Sequence, residues 1–245
     1  MSKYLKKFET TAQYNAAKSG LILPNVSLVT ENNKVEYNPI SPVPPTPSHD
    51  YVEIGGIKWA TMNVGTTSIT DGGLYFQWGD TQGYSADQIG CEDGKKCFLY
   101  WGDYKYSEGG AASDYGTMTK YNDEDNLTTL QPSDDAVTAA WGGNWRMPTK
   151  EEFQTLITAT TSAWTYDYEG SGVAGVVRTD KTDSSKVLFF PACGCAYDGK
   201  VSDGDAAVWS SSLEYIGGAY VFSQGDIGTN DRWYGYPVRG VLAEN

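Results

Sequence analysis

The sequence has little histidine, cysteine and positive charge, and it has no long apolar run. His49 is the single histidine, and 18 Lys and Arg residues stand against 31 Asp and Glu, a formal net charge of −13. This charge repels phosphates and anionic lipids at long range, so we expect neither nucleic acid nor membrane partners. No stretch approaches the roughly 18 consecutive apolar residues of a membrane helix. Residues 1–8 carry lysines without an apolar segment behind them, so we expect no signal peptide.

The four cysteines fall in two close pairs, Cys91 with Cys97 and Cys193 with Cys195. Neither spacing is typical of a zinc site, and His49 lies next to a proline-rich segment. A Cys91–Cys97 disulfide remains open, but buried free thiols are the default expectation for a chain without a signal peptide. Because the single histidine, His49, is set aside at the proline-rich segment, a Ser/His/Asp set lacks its usual base, and we expect no nucleophilic catalysis.

Residues 1–39 predict a small unit of one helix and one hairpin. Thr10 and Gln13 form a capping box for a helix that ends at Gly20, and residues 26–30 and 35–37 alternate as two strands. A unit of this size cannot bury its own core, so it is expected to serve attachment or assembly. The prolines of residues 40–48 then indicate an extended linker.

Residues 49–245 predict one α+β domain. The Gly55-Gly56 turn indicates a hairpin of residues 51–54 and 57–60, and residues 61–130 read as long loops with short strands. Helices are predicted after Ser133 and after Thr149, the second with a capping box. The strands expected next are residues 173–177, 187–190 and 206–209.

The final segment combines two short predicted strands with loops that are rich in aromatics and glycine. Residues 219–222 and 236–242 are the strands, and the rest is predicted to be loop. Aromatic side chains beside glycines favour an adaptable binding surface, although each ring taken alone is also explained by core packing. The five aromatic residues are Tyr215, Tyr220, Trp233, Tyr234 and Tyr236.

Four motifs follow one another along the chain. They are Gly-Gly-Asn-Trp-Arg-Met-Pro-Thr at residues 142–149 before a helix, Phe190-Pro191-Ala192, Trp209-Ser210-Ser211-Ser212, and Val238-Arg239. In this order the chain resembles, from about residue 51 to 242, the C-type lectin-like domains of the formylglycine-generating-enzyme subclass. That subclass includes the Fibrobacter-type paralogous domains of gut bacteria. The resemblance implies a C-type lectin-like fold with two helices, short antiparallel strands and long irregular loops.

Within that subclass, the chain is most similar to the variable proteins of diversity-generating retroelements. In these proteins a mutagenic reverse transcriptase rewrites adenine-bearing codons, and the lectin-like scaffold displays the altered side chains to a ligand. The resemblance implies a diversified surface at Tyr215, Ile216, Gly217, Val221, Asp226, Gly228, Asp231, Trp233, Tyr234 and Tyr236.

Codon chemistry divides the final segment into changing and fixed positions. An AAC codon whose adenines are replaced can encode Tyr, Ile, Gly, Val or Asp, but never Trp, Glu or Gln. Trp233, Glu214 and Gln224 are therefore expected to be fixed or partly variable framework. The invariant framework is expected to include Trp209, Ser210, Phe222 and Val238.

Residues 1–39 are similar to the attachment segments of Bacteroides phage structural proteins. The two resemblances together imply a non-enzymatic phage tail protein that attaches to a host cell-surface protein or glycan. It would be found in the virion, or in the host cytoplasm before assembly, and could form homo-oligomers. Two alternatives remain: a surface adhesin or structural domain of fixed specificity, and a copper- and cysteine-dependent oxidase that uses Cys193 and Cys195.

No cofactor is expected, with calcium as the open alternative. Asn122, Asp125 and their neighbours, together with Asp203 and Asp205, place several hard oxygen donors close in sequence, as Ca²⁺ requires. However, neither an EF-hand spacing nor the sugar-binding motifs of animal lectins are present. Arg146 and Arg239 are expected to be structural and to pair with carboxylates or backbone carbonyls.

Overall fold

The structure, a computed structural model, describes residues 5–7, 26–31, 34–39, 49–202 and 204–244. The chain divides into two compact units, Met1–Ser48 and His49–Asn245. In the first unit, β1 (Leu5–Lys7), β2 (Val26–Glu31) and β3 (Lys34–Pro39) form an antiparallel sheet in the order β1-β3-β2. The predicted hairpin is confirmed, and β1 is a strand that the pattern did not indicate. The helix predicted for residues 10–20 and the linker of residues 40–48 lie outside the described residues.

The second unit is strand-rich and of the α+β class. Its described residues include two α-helices, α1 (Ala136–Trp141) and α2 (Lys150–Ala159), neither of which is long and apolar enough to cross a membrane. The strands are β4 (Tyr51–Ile54), β5 (Ile57–Asn63), β6 (Phe76–Gln77), β7 (Ser107–Glu108), β8 (Thr117–Met118), β9 (Trp145–Arg146), β10 (Thr160–Thr165), β11 (Gly175–Asp180), β12 (Val187–Pro191), β13 (Ala196–Tyr197), β14 (Lys200–Val201), β15 (Ala207–Tyr215), β16 (Gly218–Ser223), β17 (Asp226–Asp231), β18 (Gly235–Tyr236) and β19 (Arg239–Leu242).

These strands form small antiparallel sheets. The orders are β4-β5-β19-β9, β14-β13-β18-β6, β10-β11-β12, β15-β16-β17 and β7-β8. In the first of them, β19 lies between β5 and β9, with Val241 opposite both Trp59 and Arg146. The predicted hairpin of β4 and β5 is confirmed, and Gly55 and Gly56 both take the positive φ that its turn requires.

The β15-β16-β17 sheet is the central sheet of the unit: residues on both faces of β15 and β16 are buried, whereas those of β17 are exposed or half-buried. Successive side chains of a strand point to opposite faces. Trp209 and Val221 therefore enter one core cluster, whereas Val208 and Phe222 enter the other. On the second face, Phe222 stacks on Phe153 of α2, with the ring centroids 5.0 Å apart. This packing holds the final segment between two cores.

The capping box predicted for α2 is confirmed, whereas the start predicted for α1 is wrong. Thr149 Oγ1 accepts a hydrogen bond from Glu152 N, and Glu152 Oε2 accepts one from Thr149 N. Ser133 does not cap α1, because residues Pro132–Asp134 form a separate 3-10 turn. Asp135 is the N-cap, and its carboxylate accepts hydrogen bonds from the amides of Thr138 and Met147.

The strands between α2 and the final segment also differ from the sequence prediction. β11 begins two residues later than predicted and runs to Asp180, and β10 is a strand that the pattern did not indicate. Four of the six residues of β10 are exposed, and its sequence lacks the alternation of apolar and polar residues that predicts strands. Residues 236–242, predicted as one strand, are divided by Pro237 and Val238 into β18 and β19.

Both arginines expected to be structural are structural. Arg146 makes a bidentate ion pair with Glu152, with N–O distances of 2.6 and 2.7 Å. Arg239 is fully buried and donates to Phe189 O and Asn63 Oδ1. Burial lowers the pKa of Arg239 to about 9. The Val238-Arg239 motif is therefore part of the core.

Cys91 and Cys97 form a disulfide, so the default expectation of free thiols is wrong for this pair. Cys193 and Cys195 are free. The disulfide closes a short loop that begins beside the isolated bridge between Ile89 and Lys96. It therefore fixes a loop in a part of the chain with few regular elements.

Replacing both Cys91 and Cys97 by serine is expected to lower the free energy of unfolding by about 2 kcal/mol. The reason is that a crosslink over so short a loop removes chain entropy from the unfolded state. Urea denaturation of the two proteins measures the difference. Dithiothreitol should destabilise the parent chain by the same amount and leave the double variant unchanged. An equal effect of the reductant on both would contradict the prediction.

Candidate ligand-binding surface

The β15-β16 turn forms one end of the central sheet. Tyr215 pairs with Gly218 across this turn, and Gly218 pairs in turn with Asp231 of β17. The segment of β17 was predicted to be loop, and that prediction is wrong. Its residues show no strand alternation, but six consecutive register pairs with β16 hold them extended.

A surface pocket of about 220 Å³ lies beside this turn, between residues 121–128 and residues 213–216. Two backbone hydrogen bonds join its two walls: Leu213 N donates to Thr128 O, and Leu130 N donates to Ser211 O. The loop wall contains two residues with left-handed backbone, Tyr121 at φ 57° and Asn126 at φ 54°. Asparagine tolerates this conformation, but it is costly for a bulky residue such as Tyr121 and persists there only where the surroundings impose it.

Arg232 is the side chain that fixes both walls of the pocket. It is fully buried, and its guanidinium donates to Ile216 O at 2.8 Å on one wall and to Tyr121 O at 3.1 Å on the other. It also donates to Lys120 O and to the Tyr104 hydroxyl. Because these donors form a rigid fork, one side chain sets the spacing between the turn and the loop.

Sequence reasoning missed Arg232. The signal was its rarity: the chain has four arginines, and this one stands between Asp231 and Trp233 in a segment whose pattern predicts an exposed loop. A buried arginine needs its donors paired, so an arginine amid aromatics indicates a packed position. Its guanidinium lies 4.9 Å from the Trp78 ring and 5.1 Å from the Tyr104 ring.

Asp134 anchors the base of the loop wall. The Tyr121 hydroxyl donates to its carboxylate at 2.6 Å, and Lys120 forms an ion pair with it. Burial works against ionisation, but the hydrogen bonds from Lys120, Tyr121 and Tyr106 outweigh it and lower the pKa of Asp134 to about 2. The carboxylate is therefore ionised at neutral pH and fixes the Tyr121 side chain through the hydrogen bond from its hydroxyl.

Four of the ten predicted site residues lie together at this end of the sheet. Tyr215 is 49% exposed, and it lines the pocket with the half-buried Ile216. The Tyr215 hydroxyl donates to Asp231 Oδ1 at 3.3 Å. Gly217 is buried under the Tyr215 ring, and a Cβ there would lie 3.0 Å from that ring. A side chain at residue 217 would therefore displace Tyr215.

The three aromatic residues that follow Arg232 have different environments. Trp233 and Tyr236 are buried, and the Tyr236 ring packs on Trp209 with centroids 4.7 Å apart. Tyr234 is half-buried, and its amide donates to Asp231 O. Its ring lies 5.6 Å from the ring of Tyr197. Tyr234 therefore continues the surface from Asp231, whereas Trp233 and Tyr236 belong to the core.

The remaining three predicted residues lie along the sheet and away from the pocket. Val221 is 4% exposed and faces the core, opposite Gly228 of β17. A Cβ at Gly228 would meet only Val221, at 3.7 Å, so a side chain fits there. Asp226 is exposed, but it lies five residue steps along β17 from Asp231, a distance of about 16 Å. The structure does not bring Asp226 to the pocket.

The chain matches no family model, no curated protein and no solved structure. The function of this surface therefore has to be inferred from its own residues and their contacts.

The oxygen donors considered for calcium close the turn of the loop wall. Asn122 Oδ1 accepts from the amides of Glu124 and Asp125. The Asp125 carboxylate accepts from the amides of Tyr121, Asn122 and Leu127. Asp203 lies outside the described residues. In the described part of the chain, no group of three or more His, Cys, Asp or Glu side chains could hold a metal ion.

The two cysteines of the oxidase alternative are free thiols. Cys193 and Cys195 are not bonded to each other, and the Cys195 sulfur lies 3.4 Å from Ser202 Oγ. Burial raises the pKa of the Cys193 thiol to about 12, which suppresses the reactive thiolate. His49 stacks on Trp141 with ring centroids 4.0 Å apart.

Proposed function

We propose that residues 49–245 form a C-type lectin-like domain that binds a host cell-surface ligand without catalysing a reaction. The binding surface lies at the end of the central sheet and consists of Tyr215, Ile216, Asp231 and Tyr234 beside the pocket. The α+β architecture is compatible with the lectin-like fold that the sequence motifs imply. The ligand is a protein or a glycan.

The observation that carries this proposal is an exposed aromatic ring held over a rigid support. Tyr215 is half exposed at the rim of a pocket, while Arg232, which donates to the backbone of both walls, is fully buried. Tyrosine offers a large contact area with few rotatable bonds. Binding is stronger when the side chains and backbone of the site lose little conformational entropy. Exposed ring, pocket and fixed backbone together are typical of a recognition surface.

We further propose that the surface is diversified by a retroelement. The residues expected to be invariant fit a framework role, since Trp209, Ser210, Phe222 and Val238 are all fully buried. Side-chain changes are tolerated best at the exposed or half-buried positions Tyr215, Ile216, Asp226, Gly228, Asp231 and Tyr234. At Gly217, Val221, Trp233 and Tyr236, burial limits the side chains that fit.

The proposed location is the phage virion, with the first unit as the attachment segment. The Cys91–Cys97 disulfide supports a site of action outside the reducing cytoplasm, because disulfides persist in oxidising surroundings. A surface adhesin of fixed specificity would share the fold and the pocket. A cysteine-dependent oxidase is disfavoured by the raised pKa of Cys193.

The neighbouring DNA tests the diversified surface. We expect a near-copy of the final segment, with adenines at the variable codons, beside a reverse-transcriptase gene. Sequencing a population of the gene should find changes at the codons of Tyr215, Ile216, Asp231 and Tyr234. The codons of the buried framework residues serve as the internal control and should not change. A locus with neither the copy nor the reverse transcriptase would leave only a binding domain of fixed specificity.

A further inference from the structure

We infer that the pocket between residues 121–128 and 213–216 receives one basic side chain, arginine or lysine, of a protein ligand. The inference rests on the proposed function, because it takes this end of the sheet to be a binding surface. It goes further by choosing a protein over a glycan and by naming the group that is recognised.

The size of the pocket selects a single side chain. Pockets for drug-sized ligands measure roughly 300 to 1,000 Å³. This pocket, at about 220 Å³, is smaller than that range. It suits one long side chain or one sugar ring, so its chemistry has to decide between the two.

The charge of the lining selects a cation. Asp123 stands on the loop wall and Glu214 on the strand wall, both exposed, and no Lys or Arg belongs to the lining. Within the described chain, Asp123 has no hydrogen bond and no ion pair. The nearby Lys150 is held outside the lining, since its ammonium donates to the Tyr220 hydroxyl at 3.1 Å. Two carboxylates in a protein of net charge −13 attract a positive group.

The hydrogen-bonding groups of the lining disfavour a sugar. A sugar hydroxyl both donates and accepts, so a sugar site needs free donors as well as free acceptors. The side-chain amides of the lining already donate within the loop, Asn122 to Met118 O and Asn126 to Glu124 O. The Tyr215 hydroxyl donates to Asp231. Apart from the Thr128 hydroxyl, the side-chain groups of the lining that remain free within the described chain are the carboxylates of Asp123 and Glu214, which match a donor-rich ammonium or guanidinium.

The Tyr215 ring adds a second attraction for the same group. It is half exposed at the rim, and a cation over an aromatic face gains electrostatic energy from the ring. An arginine also stacks on such a ring through its planar guanidinium, which lysine cannot do. Arginine is therefore expected to bind at least as well as lysine.

Titration of the full chain with capped tripeptides, followed by backbone amide chemical shifts, tests the inference. The peptide probes are Gly-Arg-Gly, Gly-Lys-Gly and Gly-citrulline-Gly, and the last keeps the shape of arginine without its charge. Free mannose is the sugar probe. Gly-Arg-Gly should shift amides in residues 121–128 and 213–216. Citrulline should bind about fivefold more weakly or not at all.

Isosteric variants then assign the charge. Asp123→Asn and Glu214→Gln should each weaken Gly-Arg-Gly binding about fivefold, the upper end expected for one exposed ion pair. Asp93→Asn removes an equally exposed carboxylate outside the lining and should leave binding unchanged. Unchanged thermal unfolding of all three variants excludes a general effect on folding.

Two results would overturn the inference. One is a citrulline peptide that binds as tightly as the arginine peptide, and the other is mannose binding that survives both charge variants. Neither result bears on the DNA test of the diversified surface. Conversely, a locus without a retroelement would refute the diversified surface but not the binding of a basic side chain in the pocket.

Discussion

Arg232→Lys is expected to lower the free energy of unfolding by about 3 to 5 kcal/mol. The guanidinium donates to three carbonyls and one hydroxyl in a fully buried position. A lysine ammonium reaches fewer of these acceptors, and it carries its charge into the same buried site with poorer pairing. Urea denaturation of the two proteins measures the loss.

Arg178→Lys is the matched control. Arg178 is also buried, and it donates to Thr160 Oγ1, Gly225 O and Ile157 O, none of which belongs to the pocket. Both variants should be less stable than the parent chain. Under native conditions, however, only Arg232→Lys should shift the amides of residues 121–128 and 213–216 together. A stable Arg232→Lys protein with an unchanged pocket would refute the role assigned to Arg232.

Trp209→Ala is expected to cost about 3 to 5 kcal/mol, the range for removing a large aromatic from a core. Trp209 is fully buried against Tyr236, and its indole nitrogen donates to Phe76 O at 2.9 Å. The alanine variant therefore leaves a cavity and removes the indole donor from Phe76 O. Chemical denaturation followed by circular dichroism measures the effect without relying on tryptophan fluorescence.

Two further variants separate the contributions at Trp209. Trp209→Phe keeps a ring but loses the hydrogen bond, so about 1 to 3 kcal/mol is expected. Trp164→Ala removes a tryptophan that is 39% exposed on β10 and should change stability by less than about 1 kcal/mol. If Trp164→Ala cost as much as Trp209→Ala, the central sheet would not be the main support of the unit.

Sequence patterns succeeded where the cause of a structure is local. The Gly55-Gly56 turn and the Thr149 capping box are made by neighbouring residues, so both could be read directly. The predicted capping site of α1 was two residues too early. The Asp135 carboxylate also accepts a hydrogen bond from the amide of Met147, a contact that no local pattern reveals.

For the candidate site, the sequence named some lining residues but missed the elements that depend on distant parts of the chain. Tyr215 and Ile216 were named by the resemblance to variable proteins and by the aromatic- and glycine-rich composition of their segment, and both line the pocket. β17 and Arg232 were missed because each depends on partners far away in the chain: β17 on pairing with β16, and Arg232 on Tyr104 and Tyr121. Residue composition cannot distinguish a ring in a core from a ring at a surface, which explains the buried Trp233 and Tyr236.

The position of β19 inside its sheet has a consequence for how the protein is made. Arg239 bonds to Asn63 across a sequence separation of 176 residues, so β5 gains this neighbour only after nearly the whole domain has been synthesised. Closing so long a loop is entropically costly, and contacts of high sequence separation slow folding. On the ribosome, the hairpin of β4 and β5 therefore keeps an unpaired edge while residues 209–238 are translated. Under the proposed diversification, each variant of that segment has to stay soluble until β19 emerges, a limit on variation that is independent of the ligand.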